Sequence, residues 1–426
     1  MAKKRKKHAV PARRPRVLFL SEMCLLDPNS GAAISALTWM KILTEEGFDC
    51  FSVTMTLFDG IEQYPYRQEF MPEVKEPDIL GKLVRITRHG MEHNIVASSS
   101  TRSIHIKRPE FTAFAKRALR EIERIKPDII FGFGTSHLVP VRRYARQNGV
   151  RCLFYLANGL YNEEKYRRCF EEHDDILVPS EALGEFYRDL YGIDYRVVLD
   201  VVPQLMDPES FSIEEKVANR HGGFITLINA ELLKGSALFL QVAMQAMQFA
   251  PELTFVVVES RGTREVWKRM GLNLSALTNV WWLPKQKDIS RVFDRTSVLM
   301  VPSIWFEASA RVVAEAQLCG IPVMASNIGG IPTQLNGGGH LFDVPEAMLK
   351  DPKAIPTPAE IQPWFDTLLR LMRDDDFYRA DVERALEAST PFQPEERRRD
   401  IVSLFKGYLD TKPSGPKKPR KRRVRH

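Results

Sequence analysis

The sequence predicts an α/β protein made of two doubly wound domains, each built on a parallel sheet. Residues 16–53 contain a short apolar strand, a loop, an amphipathic helix and a second strand, which is the unit of parallel sheets. The same order of elements restarts at Phe224, after a proline-containing stretch from Pro203 to Phe211. With 426 residues, the chain is long enough for two domains that each bury a core.

Each half shows the alternation of strands and helices that a parallel sheet requires. In the first unit, the helix carries one apolar stripe, formed by Ala33, Leu37, Met40 and Leu43. Further strands are predicted over 128–133, 151–156, 175–178, 197–202, 253–258, 280–283, 298–301 and 322–325, with helices between them. Residues 57–108 give only two strand-like pieces, Leu83–Thr87 and Asn94–Ser98.

These signals divide the chain into five parts. Residues 1–15 and 411–426 are basic tails, 16–205 the first domain, 206–390 the second domain, and 391–410 a last helix. The last helix has an apolar stripe that must pack against a domain, formed by Ile401, Leu404, Phe405 and Tyr408.

The composition is typical of a soluble globular protein, with 44% hydrophobic and 27% charged residues. The sequence has no apolar run near the roughly 20 residues that span a bilayer, and no signal-peptide pattern follows the basic N-terminus. We therefore expect a cytoplasmic protein. The five cysteines include no C-x-x-C pair, which argues against a disulfide framework and a structural zinc site.

The net charge of +7 is unevenly distributed. Residues 1–16 and 411–426 each hold eight Lys and Arg and no acidic residue, whereas the remainder has a net charge of −9. Such tails are expected to be disordered and to suit an anionic partner, such as the inner membrane face, a nucleic acid or an acidic protein. The alternative is a solvated tail that only aids solubility.

The segment from Pro302 to Pro332, PSIWFEASARVVAEAQLCGIPVMASNIGGIP, holds the residues most suited to chemistry. A strand ends in a loop with Ser303 and Glu307, and a helix follows from near Ala310 to Gly320. The N-terminus of such a helix directs free backbone N–H groups and a positive dipole end toward a crevice, which suits a phosphate or a sugar oxygen.

Other residues complete a site for a ligand with hydroxyl and phosphate groups. Glu307 and Glu315 can each accept hydrogen bonds from a vicinal diol, one on a sugar and one on a ribose. Lys234, in a loop after another strand, supplies a cation for a diphosphate. Gly329 and Gly330 would let the backbone approach a ligand closely.

This segment resembles the signature of the retaining nucleotide-sugar glycosyltransferases of family 4, also called group 1. Their hallmark, a Glu followed by seven residues and a second Glu, is matched by Glu307 and Glu315. The resemblance is specific over about 220–390 and looser from residue 16 onward. It implies the GT-B architecture, in which two Rossmann-like domains face a cleft and the last helix crosses back to the N-terminal domain.

The resemblance also implies roles for individual residues. Glu307 would bind hydroxyls of the donor sugar and Glu315 the ribose diol, while Lys234 would bind the diphosphate. Backbone groups would make the remaining contacts: to the sugar or phosphates from Ser309, Ala310 and Arg311, to the base from Leu283 and Pro284, and to the phosphates and acceptor from Gly31 and Ala32. Gly329 and Gly330 would lie close to the donor.

The chain departs from the family pattern at several positions. Asn229 stands where many members have an Arg, which leaves less positive charge on the leaving group. Ser309 and Ala310 replace a usual Phe-Gly pair. Tyr155 stands at a strand end where many members have a His, and it is a candidate to hydrogen-bond the sugar. Thr333 replaces a common Glu.

The implied reaction transfers a sugar from a nucleoside diphosphate of UDP or GDP type to an acceptor hydroxyl, with anomeric retention. The acceptor is a glycan, a lipid-linked molecule or a small molecule. Neither a metal nor another cofactor is expected; the D-x-D-like run Asp374–Asp376 is predicted to be a solvated turn at a helix end.

Two other functions stay open from the sequence. The departures at Ala310 and Tyr155 are compatible with an inactive GT-B subunit that binds a partner, and the tails with nucleic-acid binding. Residues 89–93 spell H-x-x-E-H, a zinc-peptidase pattern that requires a continuous helix, which Gly90 and the flanking strand-like pieces argue against. His137 is a weaker candidate for the cleft.

Overall fold

The structure is a computed structural model that describes residues 13–60, 63–72, 79–206, 211–269, 274–286 and 288–413. Most of the two predicted basic tails therefore lies outside the described residues. Within these ranges the chain forms two separate sheets, each covered by helices on both faces. None of the described helices is both long and apolar enough to cross a membrane.

The first sheet belongs to the N-terminal domain. Its strands, among the described residues, are β1 (Arg16–Leu20), β2 (Asp49–Met55), β3 (Leu83–Arg88), β4 (Met91–Val96), β5 (Ile129–Gly132), β6 (Arg151–Tyr155), β7 (Asp175–Val178) and β8 (Arg196–Val197). Their spatial order is β3-β4-β2-β1-β5-β6-β7-β8, and all neighbours are parallel except the pair β3 and β4. The helices of this domain are α1 (Gly31–Glu45), α2 (Tyr66–Phe70), α3 (Arg108–Ile125), α4 (Val139–Gln147) and α5 (Glu181–Tyr191).

The second sheet is fully parallel. Its described strands are β9 (Phe224–Ile228), β10 (Thr254–Val258), β11 (Val280–Leu283), β12 (Thr296–Val301), β13 (Val323–Ser326) and β14 (His340–Phe342), in the order β11-β10-β9-β12-β13-β14. The helices around it are α6 (Ile213–Asn219), α7 (Ser236–Phe249), α8 (Arg264–Arg269), α9 (Ser290–Phe293), α10 (Arg311–Leu318), α11 (Ile331–Leu335), α12 (Glu346–Lys350), α13 (Pro358–Arg373) and α14 (Asp375–Ala388).

The last helix, α15 (Pro394–Asp410), leaves the second domain and packs on the first. Its Ile401, Phe405 and Tyr408 are buried in the same apolar cluster as residues of β1, β5 and β6. Phe405 is fully buried and meets Phe131 edge to face at 5.7 Å. The predicted fold class, two doubly wound domains with a helix that crosses back, is confirmed.

Two local expectations need correction or refinement. The strand predicted over 197–202 is wrong beyond its first residue, because β8 ends at Val197. Val198, Val201 and Val202 are nevertheless buried, because they pack in apolar clusters at the junction of the domains. The H-x-x-E-H pattern lies on the β3–β4 hairpin, where His89 and Gly90 adopt the positive φ angles of 52° and 71° that such a turn requires.

The run Asp374–Asp376 forms the start of α14. The Asp374 side chain accepts a hydrogen bond from the backbone N–H of Phe377 at 3.0 Å and so caps the helix. All five cysteines are buried free thiols. For Cys152, burial raises the pKa to about 12, so this thiol stays protonated at neutral pH.

Candidate functional site

A cleft of about 500 Å³ separates the two domains at the carboxyl ends of their parallel strands. Ligands of doubly wound sheets bind at this edge because the loops there vary independently of the core. Nine residues that the sequence singled out line it, namely Gly31, Ala32, Tyr155, Asn229, Lys234, Glu307, Ser309, Ala310 and Arg311. The structure thus brings together loops that lie almost 280 residues apart in the chain.

Glu307 is a largely buried carboxylate that faces this cleft. Its side chain is only 10% exposed, and its Oε1 accepts hydrogen bonds from Lys234 Nζ at 2.5 Å and from Ser303 Oγ at 2.6 Å. Lys234 is more accessible, with 26% of its side chain exposed. A carboxylate held on one oxygen in this way keeps its second oxygen for a ligand hydroxyl.

Gly235 allows the Lys234 loop to reach Glu307. Its φ is 72°, and a Cβ there would lie 1.6 Å from the carbonyl oxygen of Pro302. The loop is further held by Leu233, whose carbonyl accepts hydrogen bonds from Ile304 N at 3.0 Å and Ser303 Oγ at 3.1 Å. A larger residue at 235 would therefore separate the lysine from the glutamate.

Gly329 and Gly330 do not line the cleft but support its acidic loop from behind. Gly329 has φ 56°, and a Cβ there would lie 2.5 Å from the carbonyl oxygen of Glu307. The Gly330 N–H donates to the same oxygen at 2.7 Å. The close approach that the sequence indicated is thus made to protein backbone, and it fixes the position of Glu307.

The N-terminus of α10 faces the cleft. Ala310, Arg311 and Val312 all line it, and Ala310, the N-cap residue, makes no side-chain capping hydrogen bond. The first N–H groups of the helix and its positive dipole end are therefore directed toward the space between the domains.

Arg311 and Glu315 serve the junction of the domains in this structure. The Arg311 guanidinium donates to Ser35 Oγ at 2.8 Å and to the Val201 carbonyl at 3.0 Å. Glu315 lies 3.7 Å from it and outside the residues that line the cleft. Burial raises the pKa of Glu315, while Arg311 opposes that shift. The ribose role of Glu315 stays a prediction.

Tyr155 faces the cleft wall, but its hydroxyl is already engaged. It donates to Asp200 Oδ1 at 2.8 Å, and Ser309 Oγ donates to the other carboxylate oxygen at 2.8 Å. Burial, followed by the charge of Asp200, raises the pKa of Tyr155 well above its usual value. Asp200 is thus a buried carboxylate that joins a residue of each domain.

The other predicted residues lie further from the cleft. Leu283 ends β11, and its carbonyl accepts a hydrogen bond from Glu259 N at 2.9 Å. The Pro284 carbonyl accepts one from Gln286 Nε2 at 2.6 Å. His137 stacks on Phe111 at 4.9 Å and contacts Thr135, and it is not among the residues that line the cleft.

Four charged residues of the cleft were not found from the sequence, namely Asp59, Asp200, Glu231 and Arg261. Arg261 Nη1 lies 2.8 Å from Asp59 Oδ2 and its Nη2 lies 3.1 Å from Glu231 Oε2. Of the four, only Asp200 leaves a signal in the sequence, since it is a single acid within the run VVLDVV. The others are brought to the cleft by tertiary structure alone.

Two parallel-sheet domains that face each other across a cleft, joined by a C-terminal helix that crosses back, define the GT-B fold. Solved structures support this class. Sucrose-phosphate synthase from Thermosynechococcus elongatus superposes with a TM-score of 0.68 at 15% identity, over 93% of this chain and 100% of that one. HepE from Anabaena, solved in complex with UDP and glucose, gives 0.64 at 15% identity, over 92% and 100%.

Within this class, residues 214–350 match the family described as "Glycosyl transferases group 1". The resemblance predicted from the sequence is confirmed over this segment. One curated relative, D-inositol 3-phosphate glycosyltransferase from Corynebacterium urealyticum, is 24% identical over 291 residues, which is 62% of this chain. The chain spans 64% of the length of that relative.

Proposed function

We propose that the protein is a retaining glycosyltransferase that uses a nucleoside-diphosphate sugar of UDP or GDP type. The main observation is the arrangement of Glu307, Lys234 and the N-terminus of α10 in one cleft. A leaving diphosphate gains negative charge during transfer, and a lysine and free helix N–H groups stabilise that charge. Glu307 accepts hydrogen bonds from sugar hydroxyls and so orients the donor.

The relatives support the donor class. The HepE structures hold UDP, UDP with glucose, and UDP-glucose. The shared fold covers 92% of the present chain. Glucose transfer from UDP is therefore the first reaction to test. The group that accepts the sugar is proposed only as a hydroxyl, on a glycan, a lipid-linked molecule or a small molecule.

The test measures binding first and transfer second. Thermal unfolding is recorded with UDP, GDP, ADP and CMP, because a ligand at about 100 times its Kd adds about 2.7 kcal/mol to the unfolding free energy. We expect UDP or GDP to raise the midpoint. We also expect the sugar of the matching nucleotide sugar to be transferred to an acceptor hydroxyl, or slowly to water, with release of the nucleoside diphosphate. A midpoint that no nucleotide raises would contradict the proposal.

A second candidate, an inactive GT-B subunit, has one observation in its favour. The Tyr155 hydroxyl is buried and bonded to Asp200, so it does not present a free polar group to a sugar in this structure. Nucleotide binding without hydrolysis or transfer, for all donors tested with a panel of acceptors, would favour this candidate over the enzyme.

We also propose that the basic tails bind an anionic membrane surface. Arg13 and Pro413, close to the two ends of the described chain, line one cavity at the amino ends of β5 and β6. This edge of the N-terminal sheet is opposite the cleft. The two tails, with the sixteen Lys and Arg of residues 1–16 and 411–426, are therefore attached on the same side of the domain. Clustered basic residues near a membrane contribute about 1 kcal/mol each.

Sedimentation with vesicles tests this second proposal. We expect binding to vesicles with anionic lipid, weaker binding at high salt because the charges are screened, and no binding after deletion of residues 1–12 and 414–426. Retention of a nucleic acid in preference to the vesicles would favour the alternative partner.

A further inference from the structure

The cleft contains a further cation, Arg261, besides the lysine of the loop after β9. Asn229 follows β9 at the position where many family members have an Arg, so Lys234 is the only cation of that loop. Arg261, on the loop after the neighbouring strand β10, lines the same cleft. A diphosphate carries several negative charges, and a guanidinium suits phosphate because its donors form a planar fork.

The position of Arg261 depends on the residue that replaces the family arginine. Asn229 accepts a hydrogen bond on its Oδ1 from the Gly262 N–H at 3.0 Å, and its Nδ2 donates to Glu231 at 3.0 Å. Asn229 itself has φ 69°, a left-handed conformation that asparagine adopts more readily than most residues. The asparagine thus holds the loop of Arg261 against the end of β9, next to the Lys234 loop.

The partners of Arg261 in this structure are exposed enough to be exchanged. The Arg261 side chain is 32% exposed, its Asp59 partner 38% and its Glu231 partner 32%. Ion pairs of this exposure contribute little to stability, because water competes for both groups. A phosphate group that enters the cleft can therefore take the place of a carboxylate on the guanidinium.

We propose that Arg261 binds the diphosphate of the donor together with Lys234, and that Asp59 holds Arg261 when the donor is absent. This inference rests on the proposed function. The loop after β10 then supplies the positive charge that the loop after β9 lacks, because Asn229 stands in place of an arginine there. It also links donor binding to the N-terminal domain, because Asp59 belongs to that domain and loses its partner when the diphosphate binds.

Calorimetry with UDP, GDP and the corresponding nucleosides tests the inference. Arg261→Ala is expected to weaken binding of the diphosphate about tenfold or more and to leave the nucleoside unchanged, because only the phosphate contact is lost. The diphosphate affinity of Arg261→Lys should lie between those of the wild type and of Arg261→Ala. Arg264→Ala, which removes an exposed cation three residues further on, is the matched control and should bind as the wild type does.

Two further variants separate a phosphate ligand from a simple clasp between the domains. Asp59→Asn removes one of the two carboxylates that compete for Arg261, and the variant should bind the diphosphate as tightly as the wild type or about two- to fivefold tighter. If Arg261 only held the domains together, Asp59→Asn would weaken binding as much as Arg261→Ala. Asn229→Arg added to Arg261→Ala should recover most of the lost affinity, because it restores a cation at the family position.

The outcomes distinguish a failure of the proposed function from a failure of the role of Arg261. Wild-type protein that binds no nucleotide would overturn the proposed function, and the role of Arg261 with it. If the wild type and Arg261→Ala bind the diphosphate equally well, only the role of Arg261 is overturned. Thermal midpoints of all variants are measured without ligand, so that a loss of affinity is compared only among folded proteins.

Discussion

The two domains contribute to the cleft in different ways. The C-terminal domain supplies Lys234, Glu307 and the N-terminus of α10, all of which lie within the family match at 214–350. The N-terminal domain contributes scattered groups such as Gly31, Asp59 and Tyr155, none of which lies within that match. The difference indicates that one wall of the cleft lies within the family match, whereas the opposite wall is assembled from loops outside it.

The domains also differ in how their cores are completed. The largest apolar cluster of the C-terminal domain is formed by residues between Val217 and Val382. The largest cluster of the N-terminal domain includes four residues of α15, which are Ile401, Val402, Phe405 and Tyr408. The N-terminal domain is therefore the one whose stability depends on a distant part of the sequence.

The largest expected effect is on the stability of the N-terminal domain. Phe405→Ala removes a fully buried ring that contacts Phe131, and such a change costs about 3–5 kcal/mol of unfolding free energy. Urea unfolding of the variant should begin at lower denaturant, while nucleotide binding at low temperature is retained. Lys406→Ala, an exposed change on the same helix, is the control, and an equal loss in both variants would contradict the comparison.

The second effect is on the donor side. Glu307→Gln keeps the shape of the side chain but removes its charge, so we expect kcat/KM for transfer to fall about 100- to 1000-fold with UDP or GDP still bound. Glu265→Gln, which alters an exposed pair with Lys268, serves as the control. Transfer at the wild-type rate by Glu307→Gln would refute the assignment of this residue.

The third effect is a pH dependence of stability that arises in the N-terminal domain. Asp27 is buried and accepts hydrogen bonds from the N–H groups of Asn29 and Asp59, and burial raises its pKa from 3.8 to about 6. The folded protein therefore binds a proton more tightly than the unfolded chain. The stability that this proton contributes is full below pH 3.8 and is lost as the pH rises through about 6.

Asp27→Asn should remove this dependence. The difference in unfolding free energy between wild type and variant is expected to change by at most about 3 kcal/mol between pH 4 and pH 7, in favour of the wild type at low pH. Urea unfolding across this range measures it. The exposed Asp189→Asn is the control, and a difference that stays constant with pH would refute the role of Asp27.

The smallest effect concerns Tyr155, at the contact of the two domains. Tyr155→Phe removes one hydrogen bond to Asp200, which retains the one from Ser309, so we expect a loss of about 1 kcal/mol of stability. Transfer should fall less than tenfold, because the hydroxyl is not free to contact a sugar. A drop in kcat/KM much larger than this, in a folded variant, would show that Tyr155 acts directly in the reaction.

The regular elements could be predicted because local signals define them. The strand 175–178 and the helix 181–191 agree with the structure, where Ser180 caps the helix and Gly192 ends it. The strand predicted over 197–202 is wrong beyond Val197, because the valines that follow are buried at the domain junction without pairing as a strand. An apolar pattern in the sequence indicates that residues are buried. Burial alone does not distinguish a strand from a linker packed between domains.

The cleft could be predicted where its residues lie in strand-end loops or in the segment that resembles a known family. Glu307 and Ala310 stand in a strand-loop-helix unit whose geometry follows from its sequence. Arg261 and Asp59 are 202 positions apart, and their pairing arises from the way in which the two sheets face each other. No pattern within either loop reports such a contact.

The crossing helix has a consequence for how the chain acquires its structure during synthesis. A ribosome releases residues 16–205 long before it reaches 394–410, so the face that later receives Phe405 stays open to water in the meantime. The second domain, whose largest apolar cluster ends at Val382, can close first. We expect the usual order, in which the domain made first also folds first, to be reversed here.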